Sequence, residues 1–158
     1  FVMKHIIGLI MLLTVGVFSC DKLPKNDDLD GMWHLQQVTT LSAVPEVEEN
    51  VTEKGIYWNV NLDLLQIYSK NQVMYHDDKS GKDVYHAYCR FEYTGTTLNV
   101  NKVYLSFDVK DSLLTDPATT IMEPYGIMGC ADEFCVEHLG KKQMILVSDD
   151  KRLVFRRF

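Results

Sequence analysis

The side chains with the chemistry to hold a metal, attack a carbonyl or close a disulfide are few: four cysteines, Cys20, Cys89, Cys130 and Cys135, and the histidines His34, His76, His86 and His138. Cys20 follows a leader and is accounted for below, which leaves three thiols, an odd number that permits at most one internal bridge. Cys130 and Cys135 stand near each other in the chain, and a bridge between them would staple a lid to the start of a strand; the alternative joins Cys89 to one of them. Cys89 alternates with Tyr85, Ala87 and Phe91, the pattern of a small buried residue on the dry face of a strand. A zinc site from Cys130, Cys135 and a histidine lacks the two-residue spacing of known zinc pairs. Asp27-Asp28-Leu29-Asp30-Gly31 opens in the manner of a calcium loop, but no Glu follows at the required distance. Gly-x-Ser-x-Gly, His-Glu-x-x-His and phosphate-loop patterns are absent from the sequence. The expectation is a chain without catalytic residues, metal or cofactor.

Met3-Lys4-His5, the apolar run Ile6–Phe18 and then Ser19-Cys20 make a secretory leader with its basic start, its short apolar region and a small residue at the cut. Phe1 and Val2 stand upstream of its Met. The run is too short to span a bilayer, which takes about 20 apolar residues. Val17-Phe18-Ser19-Cys20 resembles a bacterial lipobox, which implies cleavage before Cys20, lipidation of its thiol and a membrane as partner. Residues 1–19 are therefore expected to be a signal peptide, 20–30 the lipidated Cys with a flexible tether, and 31–158 the folded domain, placed at the cell envelope with the outer membrane or cell surface favoured. The net charge of −6 and a pI near 5.3, with no basic stripe, argue against nucleic acid as a partner.

The domain reads as strands throughout. In Ile56–Tyr68 the even positions Ile56, Trp58, Val60, Leu62 and Leu64 are apolar, and then Leu65 and Ile67 take over. Period two with a phase flip predicts one long strand bent by a β-bulge near Leu64–Leu65. After a turn at 69–71, Gln72–His76 is expected to pair back on it, and Ser80-Gly81 to turn the chain again. Asp83–Tyr93 places Tyr85, Ala87, Cys89, Phe91 and Tyr93 on one face; Thr97–Val100 and Val103–Val109 follow, with a turn at Asn101-Lys102. Leu41–Lys54 reads as a long acidic loop over an open end. Asp116-Pro117 suits the start of a short helix that Pro124 and Gly126 would end, within a lid or plug segment 111–130. Glu133–Leu139, Gln143–Ser148 and Arg152–Phe158 complete about nine strands. The fold class expected is all-β, a single antiparallel up-and-down barrel of 8–10 strands with one short helix or lid.

Gly31-Met32-Trp33 at the head of the first strand resembles the opening of lipocalins and of the lipocalin-like lipoproteins of Bacteroidetes, and the tail KKQMILVSDDKRLVFRRF resembles the closing strands of the same family. The resemblance covers the whole mature domain and implies a calycin-like barrel in which Trp33 closes the bottom and stacks on a basic residue of the last strand. Among Arg152, Arg156 and Arg157 we expect Arg156. It also implies an interior for one small hydrophobic or amphipathic ligand, lined by Trp58, Val60, Leu62, Tyr85, Cys89, Phe91, Leu105 and Phe107. The second reading, from another class, is an interaction protein whose core is filled and which presents loops 41–54 and 111–130 to a protein or glycan partner.

Overall fold

The computed structural model describes residues 25–108 and 110–158. The leader, Cys20 and its lipidation lie outside the described residues. Twelve strands follow in chain order: β1 (Gly31–Thr40), β2 (Val47–Asn50), β3 (Ile56–Asn61), β4 (Leu64–Ser69), β5 (Tyr75–Asp77), β6 (Lys82–Val84), β7 (His86–Tyr93), β8 (Thr97–Leu105), β9 (Ser112–Leu113), β10 (Asp132–Leu139), β11 (Gln143–Val147) and β12 (Lys151–Arg157). Eight of them form a closed antiparallel ring in the order β1-β3-β4-β7-β8-β10-β11-β12, with β12 pairing back on β1. Closure gives each of the eight a partner on both sides, which is how a small all-β domain avoids edge-to-edge association. An eight-stranded ring is just wide enough for side chains to fill it.

Alternation along each strand sends one set of residues inward: Trp33 and Leu35, Ile56, Trp58 and Val60, Leu65 and Ile67, Ala87 and Cys89, Phe134, Met144 and Leu146, Leu153 and Phe155 are all buried. Three strands change phase through β-bulges, at Gln36, Asn101 and Glu137, where the register slips by one residue. The bulge at Asn101 corrects the expected turn there: Leu98 and Val100 face in before it, Val103 and Leu105 after it, in one continuous strand.

The phase flip at Leu62–Leu65 has the opposite cause. Residues 56–68 are not one bent strand but the hairpin β3–β4, with Asn61 opposite Leu64 and a two-residue turn at Leu62-Asp63. A two-residue turn and a one-residue bulge both swap the faces, so period alone does not separate them. Leu62 takes the left-handed conformation with φ +56 and is exposed. That conformation costs a non-glycine residue about 1 kcal/mol or more. The cost is met by the segment before β1: the Asn26 side-chain amide donates to the Leu62 carbonyl at 2.7 Å, and Lys25 pairs with Asp63.

That same segment revises the expected tether. Asp27–Leu29 is a 3-10 turn, and the Leu29 side chain is fully buried in the core. An apolar side chain placed under the barrel mouth gains roughly 2 kcal/mol by leaving water, which makes residues 26–30 part of the domain.

The ring has two unlike ends. The bottom carries the tight turns 62–63, 94–96 and 140–142 together with the Asp27–Leu29 turn. The top carries three excursions. The first, between β1 and β3, is not the plain loop expected for 41–54: β2 pairs with Gln37–Thr40 of β1, and the 3-10 turn Thr52–Lys54 follows. The second is the β5–β6 hairpin, turned at Gly81, whose N–H donates to the Asp77 carbonyl at 2.7 Å; β5 pairs with β6 and not with β4. The third, 106–131, enters the barrel. No helix begins at Pro117; Asp116 caps a turn, its carboxylate accepting from the Ala118 N–H at 2.9 Å. The helical turn lies later, at Glu123–Tyr125, with Pro124 inside it and Gly126 at φ +97 ending it.

Candidate functional site

The lumen of the barrel is occupied by side chains. Five of the eight expected lining residues, Trp58, Val60, Cys89, Phe91 and Leu105, are buried in one core cluster, and Phe107 packs partly buried against it. Leu62 and Tyr85 do not belong there. Leu62 sits on the bottom hairpin turn, and Tyr85 falls in the break between β6 and β7, leaving them 56% and 47% exposed. The centre is aromatic: the Trp58 ring lies 5.0 Å from Phe155 and 5.9 Å, edge on, from Phe134.

Segment 106–131 supplies the rest of the filling, which the sequence did not reveal. Met122, Tyr125 and Ile127 are buried at 0–1% exposure within the same cluster. The Trp58 indole N–H donates to the Tyr125 carbonyl at 3.0 Å, so the deepest aromatic of the barrel is bonded to the plug's backbone. Lys151 at the start of β12 holds the plug from the wall. Its side chain is 9% exposed, and its ammonium donates to the Glu123 carbonyl at 3.3 Å and stands 3.5 Å from the Glu123 carboxylate. Gly129 allows the strap to fold on itself: at φ +65, a Cβ there would lie 2.4 Å from the Pro117 carbonyl oxygen.

The bottom is closed by Trp33, fully buried, whose indole N–H donates to the Leu29 carbonyl at 2.8 Å. Its basic partner is Arg157 and not Arg156. The Arg157 guanidinium lies 4.5 Å from the Trp33 ring centroid and donates to the Asp28 carbonyl. Register explains the correction: Trp33 is directly opposite Arg157, while Arg156 is opposite His34 and faces solvent.

The remaining reactive side chains do not converge. Cys89 is buried and its thiol is pushed up to about 12 by loss of solvation, so it is inert near neutrality. Cys130 and Cys135 are free thiols, not the expected bridge; Cys135 is exposed on β10 and Cys130 half-buried in the turn before it. His76 pairs with Asp83 at 2.7 Å on the exposed β5–β6 hairpin, and that hydrogen bond raises its pKa. On β1 the His34 ring stacks on Tyr57 at 4.6 Å; its Nδ1 accepts from the Gln36 side-chain amide at 2.9 Å and its Nε2–H donates to the Thr52 carbonyl at 3.2 Å. Among the described residues no cluster of three His, Cys, Asp or Glu side chains is arranged to hold a metal ion.

Cavities lined by the described residues lie outside the core. One of about 510 Å³ lies on the outer wall against β4, β7 and β8. One of about 470 Å³ lies at the top among Asp132, Glu133, Asp149 and Asp150. One of about 280 Å³ lies between β2 and Pro124, beside Lys151.

A closed eight-stranded meander, plugged at the bottom by a Trp–Arg pair joining first and last strands, is a lipocalin-like, calycin-like barrel. The chain matches the lipocalin-like domain family over residues 11–158, and it belongs to that family. Its fold is similar to that of a lipocalin-like protein from Bacteroides uniformis, at 18% identity and a TM-score of 0.54, covering 83% of this chain and 99% of that one. It is similar in the same way to an uncharacterized protein from Bacteroides eggerthii, at 15% identity and a TM-score of 0.54, covering 82% of this chain and 98% of that one. No curated protein matches it.

Proposed function

We propose that this chain is a non-enzymatic binding module of the bacterial cell envelope, held on a membrane through lipidated Cys20, with its barrel filled by its own plug and its partners met from outside. The observation that carries the reading is the Trp58–Tyr125 hydrogen bond at the centre of the core, with Met122, Tyr125 and Ile127 buried where a lipocalin ligand would lie. A guest of about 300 Å³ or more would have to expel these side chains and leave the Trp58 N–H and Tyr125 carbonyl unpaired, a loss of roughly 1–3 kcal/mol for each group. The lipocalin-like fold, typically non-enzymatic, and the dispersal of the histidines support the absence of catalysis.

Anchoring sets which surfaces are offered. Lys25 follows Cys20 by five positions, a reach of at most about 18 Å, and Lys25 lies at the bottom of the barrel. The top excursions then point away from the membrane. Of the two loops expected to face a partner, 41–54 is exposed along Val44–Asn50, whereas 111–130 offers only its first half, since 121–127 is largely inside. Native mass spectrometry of the protein purified without detergent exchange tests the reading. The protein should fly at its polypeptide mass plus its covalent lipid alone; a further, non-covalent one-to-one apolar adduct in most molecules would overturn it.

A further inference from the structure

The outward faces of β4, β7 and β8 carry side chains that the packing of the barrel does not use. In register, Gln66 lies opposite Tyr88 and Tyr88 opposite Tyr104; one row further down, Leu64 lies opposite Arg90. The strap leaving β8 returns beside this face, with Ser112-Leu113 paired to Leu105-Tyr104. Its residues Lys110 and Asp111 complete a groove of about 510 Å³ whose other walls are Leu64, Tyr88, Arg90 and Tyr104. That is within the range of small-ligand sites, roughly 300–1,000 Å³. The groove is braced from behind: the Gln66 amide donates to the Tyr88 hydroxyl at 3.4 Å, and Lys82 pairs with Asp108 at the root of the strap at 3.2 Å.

We propose that this groove binds an acidic carbohydrate, a hexuronate unit within a glycan chain. The first argument is charge. Two cations, Arg90 and Lys110, face one carboxylate, Asp111, so the lining is net positive on a chain whose net charge is −6. Among the described residues neither cation stands within 4.0 Å of a carboxylate, so both are available to an anionic ligand. The guanidinium fork matches a carboxylate in two parallel hydrogen bonds. The second argument is the remainder of the lining. Two phenol hydroxyls and the Asp111 carboxylate pair with sugar hydroxyls, while the tyrosine ring faces and Leu64 receive the apolar face of a pyranose. A fatty acid needs more aliphatic wall than Leu64 alone offers. A bare anion uses neither ring, and the Asp111 carboxylate repels it. The groove runs along the outer wall and is open to solvent, a shape that admits an internal unit of a chain as well as its end.

The proposal rests on the reading of the barrel as filled and its surface as the binding face, and the two fail separately, one by mass spectrometry and one by calorimetry. The test is titration of the protein with digalacturonate, its neutral dimethyl ester and acetate, alongside Arg90→Gln and Lys110→Gln. Both positions are exposed, so the variants keep the core and should melt with the wild type. Digalacturonate should bind. The ester and each variant should weaken binding roughly tenfold, equivalent to about 1.4 kcal/mol, and acetate should give no saturable heat. Absence of digalacturonate binding overturns the proposal. So does equal affinity for the ester, affinity unmoved by Arg90→Gln and Lys110→Gln, or acetate binding as tightly as the sugar acid.

Discussion

Replacing Arg157 and its neighbour Arg156 by alanine, one at a time, separates two registers of barrel closure. Arg157 covers the Trp33 ring at 4.5 Å and donates to the Asp28 carbonyl. The stacking contributes about 1–2 kcal/mol in a partly desolvated site, and the charged hydrogen bond about 1.5–3 kcal/mol. Against this, the buried Arg157 Nε has no partner, a standing cost of about 1–3 kcal/mol that the alanine variant relieves. The net for Arg157→Ala is a loss of about 2 kcal/mol. For a domain of this size each kcal/mol moves the midpoint by about 2–4 °C, so Tm should fall by roughly 4–8 °C. Arg156 faces solvent opposite His34, and Arg156→Ala should stay within about 0.5 kcal/mol of wild type. Urea unfolding followed by tryptophan fluorescence gives both values in one experiment, since Trp33 is itself a reporter. Equal losses, or a larger loss for Arg156→Ala, would refute the register and with it the account of how first and last strands meet.

Other outcomes follow from the same packing. Trp58→Phe leaves the Tyr125 carbonyl buried and unpaired and should cost about 2 kcal/mol, with proteolysis of the 106–131 strap accelerating; unchanged strap cleavage would deny the plug its anchor. Gly129→Ala places a Cβ 2.4 Å from the Pro117 carbonyl oxygen at φ +65 and should lower the urea midpoint by an amount equal to about 2 kcal/mol or more, whereas an unaltered midpoint would show that the strap is not folded on itself. Thiol titration of the native protein at pH 8 should modify Cys135 fast and Cys130 more slowly, and leave Cys89 untouched. With its pKa raised to about 12, Cys89 has only a trace of thiolate until unfolding. Unfolding without reductant should then release Cys89 alone; a protein in which Cys130 and Cys135 react only after reduction carries the disulfide that the structure lacks.

The sequence made the barrel legible because its signal is carried by period. Alternation in 31–38, 85–93 and 143–158 needs only that one face be dry, and Gly31-Met32-Trp33 with the basic-aromatic tail marked the two strands that meet. Phase flips were harder. The residues Leu62-Asp63 carry no Asn-Gly or Gly signature of a tight hairpin, because the left-handed backbone at Leu62 is held from outside by Asn26, with Lys25 on Asp63, and not by local preference. Asn101-Lys102 has turn composition but occupies a bulge, since cross-strand pairing to β7 continues on either side. The plug was illegible for a different reason. Met122, Tyr125 and Ile127 follow no period that points to a lumen, and their burial depends on where the strap re-enters the ring. The outer groove joins strand residues that local pattern marks only as solvent-facing with Lys110 and Asp111, about 20 residues away from Arg90 in sequence, a juxtaposition that only the topology makes.

The most direct measurement is hydrogen exchange at the two indole N–H groups, read by NMR in the protein with no ligand added. Trp33 donates to Leu29 at 2.8 Å and Trp58 to Tyr125 at 3.0 Å, both fully buried. Both should exchange slowly, over hours, and neither resonance should shift when palmitate is added. A Trp58 N–H that exchanges within the dead time while Trp33 stays protected, or that shifts in a saturable way with palmitate, would show an interior open to a guest and contradict the filled barrel.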